Sequence, residues 1–191
     1  MVFKVTTEPT VEPYTLTEVK TLMSIPDTQS DDPITSYITS ARRQAELYLQ
    51  QKIITQTLEM VLDDFPSDGI ELEQGPVQSI TSVIYTDADG TDQTIASSNY
   101  SLDNYGKRVW LLPAYDYSWP SVRPIANAVK IKYICGFGNS GAEVPEDIRQ
   151  AMLLVIGHWL RFQKEAESGI GPTRIPRQFY DLLSPHRLVV M

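Results

Sequence analysis

The sequence predicts an α+β fold: a mainly α-helical bundle of about four helices, with an antiparallel β-sheet or small sandwich domain inserted in the middle. Three observations point there. Apolar residues recur at helical spacing near both ends of the chain, over residues 34–48 and 148–162. Between them, residues 54–135 read as short alternating segments separated by Gly, Pro and Asp turns. Hydrophobic residues make up 42% of 191 residues, enough for the core of one domain or two small ones. The expected division is N-terminal helices over residues 1–53 and an antiparallel β domain over residues 54–135. A long C-terminal helix, a loop and a terminal short helix over residues 136–191 are expected to pack with the N-terminal helices.

The elements follow in order. Thr15-Leu16-Thr17-Glu18 is a capping box, in which hydroxyl and carboxylate satisfy each other's orphan amides. The short helix it opens runs through Val19, Leu22 and Met23 and stops at Pro26. A polar turn over residues 27–32 leads to Pro33, placed as the first residue of a second helix. Ile34, Tyr37, Ile38, Ala41, Ala45 and Tyr48 form its apolar stripe, with Arg42, Arg43, Gln44 and Glu46 mostly off it. Strands are expected over residues 55–62, 70–73, 80–85, 100–103, 109–112 and 128–134, with Asp89-Gly90 as a hairpin turn. Helix returns at Pro145, where Glu146 and Asp147 favour its N-terminus. Ile148, Met152, Val155, Trp159 and Phe162 line one face, and Leu153, Ile156 and Leu160 widen it. So broad an apolar arc needs other elements or neighbouring chains to cover it. Gly169-Ile170-Gly171-Pro172 breaks this helix, and a last short one carries Phe179, Leu182 and Leu183.

Composition excludes several classes. One cysteine allows no disulfide framework or thiolate zinc cluster, and two distant histidines make a His-based metal site unfavourable. The opening residues lack a basic stretch followed by an apolar core, so no signal peptide is expected. No run reaches the roughly 18 apolar residues of a membrane span. The net charge of −8 disfavours phosphate binding. Residues 1–100 carry −11 and residues 101–191 carry +3, an asymmetry that suits attraction between copies.

Motifs that could carry chemistry each have a plainer reading. Gly136-Phe137-Gly138-Asn139-Ser140-Gly141 fits a dinucleotide-binding turn, yet no second strand with an acidic residue follows, so a strand-to-helix loop is favoured. Asp87-Ala88-Asp89-Gly90-Thr91-Asp92 places glycine fourth rather than sixth for a calcium loop, and reads as a hairpin. Asp63 and Asp64 could act as paired carboxylates in a hydrolase only if one were desolvated. Cys135 has neither His158 nor His186 at a recognised spacing and reads as a buried, inert thiol. Trp110, Tyr115, Tyr117 and Trp119 could stack on a carbohydrate or other small ligand, or fill a core or interface.

The ordered succession of segments resembles a known family. It comprises Tyr14 to Lys20, Ala45 to Leu49, Ile54 to Glu59, Leu62-Asp63-Asp64-Phe65-Pro66 and Gly75 to Val83. It continues through Tyr85 to Gly90, Asn99-Tyr100, Val129 to Gly138 and Val144 to Ala151. Across nearly the whole chain this is similar to the head–tail connector (adaptor) proteins of tailed bacteriophages and prophages. The resemblance implies a structural virion protein, made in the bacterial host cytoplasm, with no catalytic residues, no cofactor, no metal and no membrane association. It implies a homo-oligomeric ring, commonly a dodecamer, beneath the portal protein, extending the DNA channel and docking tail or neck proteins such as stopper or tail-completion proteins. Double-stranded DNA would pass through the lumen without sequence-specific binding. On this reading Arg174, Arg177, Phe179, Tyr180 and Arg187 are candidates for the portal or partner interface, and Trp159 and Phe162 for helix contacts between subunits. The locally positive C-terminal stretch suits docking on an acidic protein. A carbohydrate or small-ligand binding β-domain remains the alternative.

Overall fold

A computed structural model describes residues 2–26, 31–167 and 174–188. Among these residues are four α-helices and two antiparallel sheets, and the chain forms two compact units. The β unit is residues 1–9 and 55–136, and the helical unit is residues 10–54 and 137–191.

The β unit holds strands β1 (Val2–Thr7), β2 (Gln56–Leu62), β3 (Ile70–Leu72), β4 (Val77–Thr86), β5 (Asp92–Thr94), β6 (Tyr100–Asp103), β7 (Val109–Pro113) and β8 (Val129–Cys135). One sheet has the order β1-β2-β8-β4-β5 and the other β3-β7-β6. Alternation along β8, buried at Val129, Ile131, Tyr133 and Cys135, aims every second side chain inward. These meet Leu58 and Met60 of β2, Ile70 and Leu72 of β3, and Val109 and Leu111 of β7 in one apolar cluster, a small sandwich core. Inside it the Tyr133 hydroxyl donates to the Glu73 carbonyl at 2.7 Å, and burial holds the phenol far above its usual ionisation range. On the other face, Glu59 lies 2.7 Å from Lys4 and 3.7 Å from Lys132, and the Lys4 bond chiefly keeps its carboxyl below the ordinary range.

Two strands were not expected. β1 joins residues 1–9 to the β unit, although residues 1–53 read as helical from sequence. Its partner β2 lies about fifty residues on, so no local signal marks the pairing. β5 is three exposed residues held against the end of β4. The Asp89-Gly90 turn between them forms as the sequence implies, with Gly90 at φ +89° and its amide 3.0 Å from the Asp87 carbonyl.

The helical unit contains α1 (Leu16–Leu22), α2 (Asp31–Leu49), α3 (Glu146–Glu167) and α4 (Arg177–Leu183). The capping box is present: the Glu18 amide donates to Thr15 Oγ1 at 3.2 Å, and the Thr15 amide to Glu18 Oε2 at 2.7 Å. The Thr15 amide, then its hydroxyl, hold the Glu18 carboxyl below its usual range. Pro33 is the third residue of α2 rather than the first, still inside the turn where no amide is needed. Asp31 and Asp32, expected in the polar turn, already belong to α2, where their charge suits the first helical turn. Residues 27–30 of that turn and the helix break at residues 169–172 lie outside the described residues.

Ile34, Ile38, Ala41, Ala45 and Leu49 of α2 meet Ile148, Met152, Val155 and Ile156 of α3, with Phe179 and Leu183 of α4, in a second core. Two residues placed off the α2 stripe from sequence belong inside. Arg42 is 3% exposed and Glu46 5%. The stripe is wider than its apolar members because ion pairing compensates the buried charge. Arg42 Nε donates to Glu12 Oε2 at 2.7 Å, and Nη2 to Glu12 Oε1 at 3.3 Å. Its Nη1 donates to Glu46 Oε1 at 3.2 Å, an oxygen that also accepts the Ile53 amide at 3.1 Å.

Candidate functional site

The glycine-rich loop carries no ligand chemistry. Glu143 Oε2 accepts from the Asn139 amide at 2.8 Å and from the Ser140 amide and hydroxyl at 3.0 Å each. The amides a phosphate would need are already taken by a carboxylate of the same loop. Each glycine has a structural task. Gly136 adopts φ +126°. A Cβ on Gly138 would sit 2.4 Å from the Glu143 side chain, and one on Gly141 would sit 2.1 Å from the Pro13 carbonyl oxygen. Gly141→Ala forces backbone against backbone and is expected to destabilise the helical unit by about 3 kcal/mol. Gly106→Ala, where a Cβ meets nothing nearer than 3.6 Å, should stay within about 0.5 kcal/mol in the same chemical denaturation experiment.

The other candidate chemistries disperse. Asp63 and Asp64 are both exposed, and their carboxylates accept the Asn127 and Phe65 amides at 2.8 and 2.7 Å, so neither is desolvated. Asp87 turns its oxygens onto the Asp89 and Thr91 amides and the Gln93 side chain, closing the hairpin itself. Cys135 is buried against the Gln56 carbonyl. Among the described residues no group of three His, Cys, Asp or Glu side chains is placed to hold a metal. Nor is any helix long and apolar enough to cross a membrane. The aromatic residues do not share one platform. Trp119 stacks on Phe65 at 4.8 Å and 8° and meets Tyr117 edge-on at 6.3 Å. Trp110 and Tyr115 join no ring pair among the described residues, and Tyr115 is 96% exposed.

What the chain offers is surface. In α4, Phe179 and Leu183 are buried, and Tyr180 is half-buried edge-on to Tyr48 at 5.1 Å. Beyond it, His186 Nε2 lies 2.5 Å from Asp147 Oδ2 on α3. The His186 carbonyl accepts from Gln51, and the Leu188 amide donates to the Leu49 carbonyl at 3.0 Å. The Arg187 guanidinium covers the Tyr48 ring at 5.0 Å. Residues 179–188 are thus strapped to α2 and α3, and the sequence candidates separate by role. Phe179 serves the core, Tyr180 half-serves it, Arg187 is exposed over the Tyr48 ring, and Arg174 and Arg177 project outward. Arg177 is 92% exposed, with Asp181 at 3.9 Å. On α3, Trp159 is half-buried against Tyr37 at 5.7 Å, and Phe162 is half-buried.

Folding also regroups the charge. The β unit has six Lys/Arg against twelve Asp/Glu, net −6, and the helical unit ten against twelve, net −2. The −11 and +3 halves of the sequence therefore do not correspond to structural units. The basic character is confined to a stretch, where Arg174, Arg177 and Arg187 face Asp181 alone.

Comparison with known proteins is consistent in fold and family. A search of curated protein sequences gives no match. Among solved structures, the chain is similar to one in the neck of an empty gene transfer agent particle, computed with C6 symmetry, at TM-score 0.81 and 18% identity. It is similar to a chain in the virion of the native gene transfer agent particle at 0.80 and 20%, and to one in the native neck computed with C12 symmetry at 0.72 and 20%. Each covers 100% of this chain and 97% of the other, so the shared fold extends end to end. The model of the family described as head completion protein matches residues 13–186. That match spans both units, and the chain belongs to the head completion protein family.

Proposed function

We propose that this chain is a structural virion protein, a head–tail connector that forms a ring below the portal, extends the DNA channel and presents a docking surface to tail or neck proteins. The observation that carries the reading is the family match over residues 13–186. The likeness in fold to chains of a neck computed with C6 and C12 symmetry supports a ring, and twelve is the copy number we propose. The role is mechanical and involves no reaction. Double-stranded DNA passes through the lumen without sequence-specific contact, a passage favoured by a net charge of −8, since phosphate contacts require cations.

Docking on the portal is assigned to the outward cations of the C-terminal stretch, Arg174 and Arg177. Arg174→Glu with Arg177→Glu is expected to weaken binding to the cognate portal about tenfold or more, with the larger loss at low salt, because rim charges act through steering and repulsion. Both side chains are exposed, so melting should hardly change. Unchanged portal affinity across a salt series would remove the C-terminal cations from the interface. The helix contacts between subunits assigned to Trp159 and Phe162 use their half-exposed edges.

A further inference from the structure

We propose that neighbouring copies in the ring join through a specific pair of patches: the outer face of the three-stranded sheet around Trp110 on one copy, and Arg43 with Leu47 of α2 on the next. This rests on the ring reading above and adds a second contact to the one through Trp159 and Phe162.

Trp110 lies in β7 between Val109 and Leu111, both buried in the sandwich, so the alternation of the strand turns its indole to the opposite face. It packs with neither apolar core. Its cross-strand neighbours are Glu71 on β3 and Asp103 on β6, which set an acidic residue on either side, with Cβ atoms about 5 Å from its own. Glu71 is engaged by Arg108 at 3.4 Å. Asp103 is exposed and uses one oxygen on the Tyr105 amide at 3.2 Å. An indole beside an anion is an anchor awaiting an apolar side chain with a cation next to it.

The helical unit presents that combination. Leu47 is 67% exposed, the most exposed large apolar residue of α2, and Arg43 lies one turn earlier on the same outward face. Arg43 makes no ion pair among the described residues, unlike buried Arg42 beside it. The Cβ spacing of Leu47 and Arg43 along the helix, about 6 Å, is close to that of Trp110 and Asp103 across the strands, about 5 Å. A head-to-tail ring requires two dissimilar, complementary patches on every chain, and these two agree in charge sign, apolar content and scale. Leu47 covers the Trp110 ring and Arg43 pairs with Asp103.

Native mass spectrometry of necks isolated from particles made with each variant tests this. Trp110→Ala and Arg43→Glu should each reduce the copies of this chain held in the neck at least about tenfold. Their isolated chains should melt within a few degrees of wild type, since neither side chain is in a core. Combining Arg43→Glu with Asp103→Arg should restore the ring. Full rings in Trp110→Ala and Arg43→Glu overturn the contact while leaving the ring reading intact. Loss in both without recovery in the charge swap overturns the pairing of Arg43 with Asp103. Wild-type necks that contain no ring of this chain overturn the ring reading, and this contact with it.

Discussion

Replacing Arg42 with alanine is expected to destabilise the helical unit by about 3–5 kcal/mol, the cost of leaving buried carboxylates without their cation. The guanidinium is 3% exposed and holds Glu12 with two of its nitrogens and Glu46 with a third. Burial disfavours its charge, and the two carboxylates more than offset that, raising its pKa further. Without it, Glu46, a carboxylate 5% exposed, loses the cation at 3.2 Å, although the Ile53 amide at 3.1 Å and Lys52 at 3.4 Å stay among its partners. Arg42→Lys retains the charge but not the fork that grips Glu12 at 2.7 and 3.3 Å, and should cost about 1–2 kcal/mol. Urea unfolding of the three proteins checks the order. If alanine costs no more than lysine, the network is not what closes α2 onto the segment carrying Glu12.

Phe179→Ala is expected to cost about 3–5 kcal/mol and to release the C-terminal stretch. Phe179 is fully buried and is the largest anchor of α4, a helix of only seven residues that cannot persist unaided. With it gone, the Leu188 amide bond to Leu49 and the His186–Asp147 pair lose their fixed partners. Hydrogen exchange at the Leu188 amide should accelerate far more than at α2 amides, while Arg177→Glu, two residues away and exposed, should leave both unchanged. Equal acceleration throughout the unit would mean that α4 is not a separate strap.

Much of this architecture was legible because its signals are local. The Thr15–Glu18 box, the Ile34 to Tyr48 and Ile148 to Ile156 stripes, and the Asp-Gly hairpin each need only a few neighbouring residues to act. β1 was not legible, since its partner β2 lies some fifty positions later and its own six residues alternate only weakly. Arg42 and Glu46 were hidden by their type: a charge reads as surface until Glu12 folds over it. The roles of Gly138 and Gly141 depend on Glu143 and on Pro13, the latter far away in sequence. Arg174 and Arg177 were legible as outward cations. Phe179 was read as part of the same surface because sequence cannot separate the buried from the exposed side of so short a helix. Dividing the charge at residue 100 cut across a β unit made of residues 1–9 and 55–136, which is why −11 and +3 become −6 and −2 in the folded molecule.

The central claim is that this chain acts as a ring on a portal. Native mass spectrometry of the purified protein, alone and mixed with its cognate portal over a range of salt concentrations, tests that most directly. The expected result is one complex holding a closed set of copies, twelve on our reading, that depends on the portal and weakens as salt rises. A chain that stays unbound to the portal at every salt concentration, or binds as a single copy, would contradict it.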